Sequence, residues 1–128
     1  MTLNKLKSQI ALGEDSRRQF KQDVTNPDSL AAFANTEGGV ILLGVADDGS
    51  LTGLSRADVT RLNQMIGNAA SQHIRSPITV QTENLKLKNG RIVIVLTVPK
   101  GIDKPYFDRH GVIWLKSGAD KRRVNSKE

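Results

Sequence analysis

The chain has no cysteine, which removes disulfides, thiolate metal sites, iron–sulfur clusters and thiol catalysis together. Aromatic residues are scarce, 4 % of 128 positions, so few rings are on hand to stack on bases. No apolar run approaches the roughly 20 residues that a membrane span requires. The opening MTLNKLKSQIALG holds no unbroken apolar stretch and does not read as a signal peptide. There is no G-x-x-x-x-G-K-[ST] run, hence no P-loop. No Ser-His-Asp grouping is evident, and the two histidines, His73 and His110, lack metal-ligand spacing. What remains is a soluble, cytoplasmic domain with one modest core.

What the chain has in excess is positive charge, +6 overall with a pI near 9.9. It is distributed unevenly. Residues 1–64 are near neutral at net −1, whereas residues 65–128 carry net +7. Almost all of that excess follows position 84, from Lys86 to Lys127. One-sided positive charge of this kind attracts polyanions, nucleic acid above all.

Local patterns predict an α+β fold, a mostly antiparallel (mixed) sheet with two main helices. Residues 2–12 form a weakly amphipathic helical segment with Leu3, Leu6 and Ile10 on one face. Arg17 to Asp23 reads as a short charged strand with Phe20 on its other side. Asn26-Pro27 starts a helix, and Gly38-Gly39 stops it. Val40 to Val45 is a continuous apolar run of the length of a strand buried on both faces. Ser55, with Asp58 three residues on, opens a second helix carrying Val59, Leu62, Ile66, Ala69 and Ala70, with Pro77 beyond its end. Asn89-Gly90 joins two strands, Ile78–Lys88 and Arg91–Val98, as a hairpin. A last hairpin is expected between Tyr106–Asp108 and Val112–Lys116, turning at Arg109-His110-Gly111. Residues 1–12, 13–118 and 119–128 then read as a helical lead, the domain and a frayed basic tail or linker.

The segment AFANTEGGVILLGVADDG resembles the signature of the Schlafen-type AlbA domain, a DNA-binding domain class. Glu14 to Lys21 is similar to that family's opening E-S-x-x-x-E-F-K. Leu51-Thr52-Gly53 is similar to its I-x-G return, Lys104-Pro105-Tyr106 to its K-P-Y, and Trp114 to Gly118 to its Y-x-R-x-G. The resemblance covers residues 13–118. It implies a nucleic-acid-binding α+β module with Asn35, Gly38 and Gly39 as its motif core. In bacteria such a module stands at the N-terminus of longer transcriptional regulators or RecG-related helicase-like proteins, and the chain is taken as a piece of one.

In some members the resemblance implies a metal-dependent ribonuclease with three acidic residues. Carried over by position, these are Glu14, Gln19 and Asp47. Mg²⁺ or Mn²⁺ would need oxygen ligands there, and Gln19 supplies an amide in place of a carboxylate. Ala46 also departs from the G-V-D-D turn. No catalytic residue and no cofactor is therefore assigned; Mg²⁺ or Mn²⁺ enters only under an endoribonuclease alternative.

The expected nucleic-acid contacts are Lys86, Lys88, Arg91, Lys116, Lys121, Arg122 and Arg123, reaching phosphates with little base reading. Tyr106, Phe107 and Trp114 are stacking candidates. DNA is favoured over RNA as the partner, and no membrane is expected. The remaining alternative is an interaction or assembly domain acting through Asn35–Gly39, which allows a homodimer.

Overall fold

The computed structural model describes residues 1–22, 28–72, 74–75, 78–102, 104–108 and 110–124. The sequence expectations at Asp23, Asn26-Pro27, His73, Pro77, Arg109 and Lys127 lie outside them. Three helices occur among the described residues: α1 (Leu3–Ala11), α2 (Asp28–Asn35) and α3 (Arg56–Gln72). The main sheet holds β1 (Arg18–Lys21), β2 (Gly39–Leu43), β4 (Gln81–Lys86) and β5 (Ile92–Val98), in the order β1-β2-β5-β4. β1 and β2 run parallel, with α2 as their crossover; the other pairs are antiparallel. Two short ribbons complete the fold, β3 (Ile74–Arg75) with β6 (Phe107–Asp108), and β7 (Trp114–Ser117) with β8 (Asp120–Arg123).

The apolar run of β2 is continuous because both of its faces are covered. Ile41 and Leu43 join Ile94, Leu96 and Val98 of β5 beneath α2 and α3. Leu42 packs with Val93 and Val95 against Phe20 of β1 and Leu6 of α1 on the opposite face. A period of two thus feeds two cores from each central strand. Along α3, Val59, Leu62, Ile66, Ala69 and Ala70 recur at helical spacing and are buried. Its start is capped as expected, with Ser55 Oγ accepting from the Asp58 N–H at 3.2 Å. The turn at Asn89-Gly90 also forms as expected, with Gly90 at φ +84° and Asn89 Oδ1 accepting the Arg91 N–H.

α2 is apolar all round for a reason that concerns the site. Leu30, Ala31, Ala32, Phe33 and Ala34 are each no more than 2 % exposed. One side rests on the sheet and the β7–β8 ribbon covers the other, so the stretch Leu30 to Ala34 is shielded on all sides.

Three expectations are corrected here. The first strand of the Asn-Gly hairpin begins at Gln81, and it is an exposed edge, because only Leu85 and Leu87 find a core to enter. Phe107–Asp108 does turn back on Val112 and Ile113 as expected, with the Asp108 N–H donating to the Val112 carbonyl at 2.9 Å and a bridge from Phe107 to Ile113, but its ladder partner is β3, which was not expected. The strand Trp114–Ser117 pairs instead with Asp120–Arg123, inside the expected frayed tail. That stretch has no apolar alternation to announce a strand, and Gly118 at φ +63° makes the turn into it.

Candidate nucleic-acid interface

The motif core is built from the C-terminus of α2. Gly38 donates its N–H to Phe33 C=O at 2.8 Å, closing the helix at φ +72°. Gly39 then passes so near that a Cβ there would lie 2.4 Å from the Arg17 carbonyl and 2.7 Å from the Phe33 ring. Asn35, only 9 % exposed, uses its whole amide internally. Its Nδ2 donates to the carbonyls of Tyr106 and Trp114 at 2.9 Å, and its Oδ1 accepts the Tyr106 N–H at 2.6 Å. Gly101 adds an N–H to the Ala34 carbonyl, and Lys104 Nζ reaches the Thr36 carbonyl. The stretch Asn35–Gly39 is therefore a dock for the Val98–Gly101 segment, Lys104, Tyr106 and Trp114 of the same chain.

Asp108 is a second internal hub. It is 3 % exposed and accepts from the His110 and Val112 N–H groups and from Trp114 Nε1, at 2.8 to 2.9 Å. Burial acts to raise its pKa, but the Trp114 bond and the two backbone bonds outweigh it and hold the carboxyl below the usual carboxylate range. A depressed folded-state pKa stabilises the fold above the unfolded value, and the contribution is lost as pH falls through the folded one. Thermal unfolding from pH 6 to pH 2 is expected to show this: the midpoint falls steeply below about pH 4, and Asp108→Asn flattens that fall while lowering the midpoint at pH 6. An equally steep fall in the variant would assign the acid sensitivity elsewhere.

The basic residues do not form one face. Lys86 and Lys88 are exposed on and just beyond β4, one edge of the sheet. Arg91 leans back across the turn, with Nε and Nη2 donating to the carbonyls of Thr52 and Gly53 at 3.0 and 3.2 Å, so much of its donor fork is spent on the chain itself. The β7–β8 ribbon lies over α2, and Lys116 on it feels Glu14 and Asp15, which precede the opposite edge strand β1.

Lys116 is a correction. Expected at the surface, it is 8 % exposed, with Nζ donating to the Ala119 carbonyl at 2.9 Å and standing 4.9 Å from the Phe33 ring centre. Burial pushes its ammonium pKa below the ordinary value, against the opposing pull of Glu14. The reason is the strand period: Lys116 shares the inward face with Trp114. Its ammonium sits between the Phe33 ring and the Ala119 carbonyl, at the turn that follows Gly118.

Across the ribbon, Lys121 and Arg123 lie over the Trp114 ring at 5.4 and 6.0 Å from its centre. Arg122 and Arg123 are exposed. Of the stacking candidates, Tyr106 is 3 % exposed and belongs to the core. Phe107 and Trp114 are half-buried, and Trp114 is held by Asp108.

The acidic positions do not build a metal centre. Glu14 Oε1 accepts the Phe20 N–H at 2.9 Å. Asp15 is engaged by the Arg17 N–H and the Arg18 guanidinium. Asp47 is exposed beyond the end of β2. Gln19 Oε1 is shut off from solvent without a hydrogen-bond partner among the described residues, and it brings no charge. No group of three His, Asp or Glu side chains that could hold a metal ion occurs among the described residues. The donor set does not fit Mg²⁺ or Mn²⁺, and no reaction step is drawn through one. No helix among the described residues is long and apolar enough to cross a membrane.

The fold and its surfaces thus define a small α+β module, a mixed sheet between helices, with its motif core turned inward and its exposed cations on β4 and β8. The chain matches the family model described as Schlafen, AlbA_2 over residues 14–125, and it belongs to that family. Among solved structures, the N-terminal domain of an ATP-dependent DNA helicase RecG-related protein from Nitrosomonas europaea is similar, with a TM-score of 0.66 and 21 % identity. That match covers 100 % of this chain and 92 % of the other. The DIP2311 protein from Corynebacterium diphtheriae is similar at TM-score 0.62 and 21 % identity, over 96 % of this chain but 30 % of that one. The chain therefore spans less than a third of that relative's length. At this identity the likenesses establish the fold. No curated protein matches the chain.

Proposed function

We propose that the domain binds nucleic acid, DNA in preference to RNA, through its phosphate backbone and with little base specificity. The observation that carries this is β8: Lys121, Arg122 and Arg123 follow one another on an ordered strand, on a chain of net +6. Family membership supports the reading. Because strand side chains alternate, Lys121 and Arg123 share the face of Trp114 and Arg122 takes the other; Arg122 and Arg123 are the exposed pair that a polyanion along the ribbon edge would meet. Lys86 and Lys88 form a smaller, separate contact at β4. Backbone contacts of this kind give affinity without reading sequence. The neutral Gln19 amide, standing where the family pattern has a carboxylate, supports a module that holds nucleic acid and leaves it uncut.

Fluorescence anisotropy with labelled single- and double-stranded DNA and RNA tests the proposal. Binding to DNA at low salt is expected, weakening as salt rises and indifferent to base sequence. Absence of binding to all four probes at low salt would overturn it.

A further inference from the structure

A shallow groove of about 370 Å³ opens at the end of the sheet where β1 and β2 begin and β5 finishes. None of the expected contact residues lines it. Its walls carry Arg17, Arg18 and Lys100, with Gln9 of α1 and Thr97 of β5 as polar neighbours and Glu37 as the one carboxylate. Three cations against one carboxylate give the groove a local positive balance. Arg17, Arg18 and Glu37 come from the half of the sequence with net charge −1 and Lys100 from the half with +7, so the charge profile of the chain does not single the groove out.

The side chains there are poorly occupied by the fold. Lys100 and Glu37 meet at 3.5 Å, with more than half of each side chain exposed. An exposed pair at that distance holds weakly, and a dianion would displace Glu37 readily. Arg18 pairs with Asp15 through one amino group, while its Nε–H is shut off from solvent with no acceptor among the described residues. Arg17 contributes to the fold through its backbone, accepting the Val40 N–H and donating to Asp15, and its residue is exposed. An arginine pair and a lysine around one small space, with hydroxyl and amide donors beside them, suit an oxyanion such as phosphate, which can accept from several donors at once.

We infer that this groove is a phosphate receptor. It takes one phosphate of a nucleic-acid backbone or the phosphate of a free nucleotide. The backbone source rests on the function proposed above; the receptor itself does not.

The test is an amide NMR titration of the ¹⁵N-labelled chain with inorganic phosphate, against sodium chloride at matched ionic strength. The amides of Arg17, Arg18, Gly39, Val40 and Lys100 should shift saturably with phosphate only. The double variant Arg17→Glu/Lys100→Glu spares every backbone bond described above and should lose the response at least tenfold. No saturable shift, or the same shift in the variant, would overturn the inference and leave an adventitious ion only. Repeating the titration with an oligonucleotide lacking a terminal phosphate, and with adenosine monophosphate, identifies the source. Shifts at the groove with the oligonucleotide support a backbone phosphate. Shifts with the mononucleotide alone support a free one. Failure of all nucleic-acid binding would refute the proposed function while the phosphate arm still decides the groove.

Discussion

Asn35→Ala lowers the thermal midpoint by about 10 °C or more. The side chain makes two donor bonds and one acceptor bond to main-chain groups of Tyr106 and Trp114, in a setting 9 % exposed. Stripping a partner from a buried polar group costs roughly 1–3 kcal/mol, so three bonds amount to about 3–5 kcal/mol. For a domain of this size each kcal/mol corresponds to roughly 3–5 °C. Asn35→Asp separates the contributions. A carboxylate still accepts the Tyr106 N–H, but it faces two carbonyls with no donor, so it should rescue little. Equilibrium unfolding in urea measures both variants. A loss below about 1 kcal/mol in Asn35→Ala would mean that the dock at the end of α2 is held by other contacts, since a single ordinary hydrogen bond already accounts for that much.

Gly38→Ala is the second large effect. Gly38 lies at φ +72°, and its added Cβ would stand 2.6 Å from Lys100 N, 2.7 Å from Val98 O and 2.9 Å from Pro99 C. All three are backbone atoms at the end of the central strand β5, so no side chain can turn aside. The left-handed conformation costs a residue with a Cβ about 1 kcal/mol, and forcing the backbone apart adds roughly 1–3 kcal/mol. A total of about 3 kcal/mol follows. Gly90→Ala supplies the comparison, because Gly90 is at φ +84° with nothing within 4 Å of its added Cβ. It should lose only the conformational part, about 1 kcal/mol. Equal losses in the two variants would show that crowding at Gly38 is relieved by local adjustment.

The two positions mark the limits of what the sequence alone reveals. The Gly38-Gly39 stop was legible, because a glycine pair after an apolar stripe is a local signal. So were β2, from its continuous apolar run, and α3, from its helical period. The role of Asn35 was not legible: its partners lie 71 and 79 residues away, and nothing local tells a clamp from a ligand-facing amide. β8 was missed because Asp120–Arg123 has no apolar alternation; its strand character comes from pairing with β7. The burial of Lys116 had a faint signal, its two-residue spacing from Trp114, but a lysine on a strand is ordinarily solvent-facing. The expected contact residues fall in separate places for a topological reason. Lys86, Lys88 and Arg91 follow one another closely in sequence at the β4 edge of the sheet, whereas the β7–β8 ribbon packs on α2. The family resemblance pointed to the right fold. Its acidic positions, once placed, proved to be a capped turn, a neutral amide and an exposed loop carboxylate.

The basic strand β8, paired with β7, is the proposed seat of the polyanion. The most direct measurement is the slope of log binding constant against log salt for a short DNA duplex, comparing wild type with Arg122→Gln/Arg123→Gln and with Lys86→Gln/Lys88→Gln. Each phosphate contact contributes about −0.9 to the slope on duplex DNA. Loss of the β8 pair should make the slope shallower by about 2, with loss of the β4 pair making a smaller change. An unchanged slope in Arg122→Gln/Arg123→Gln would contradict polyanion binding at β8.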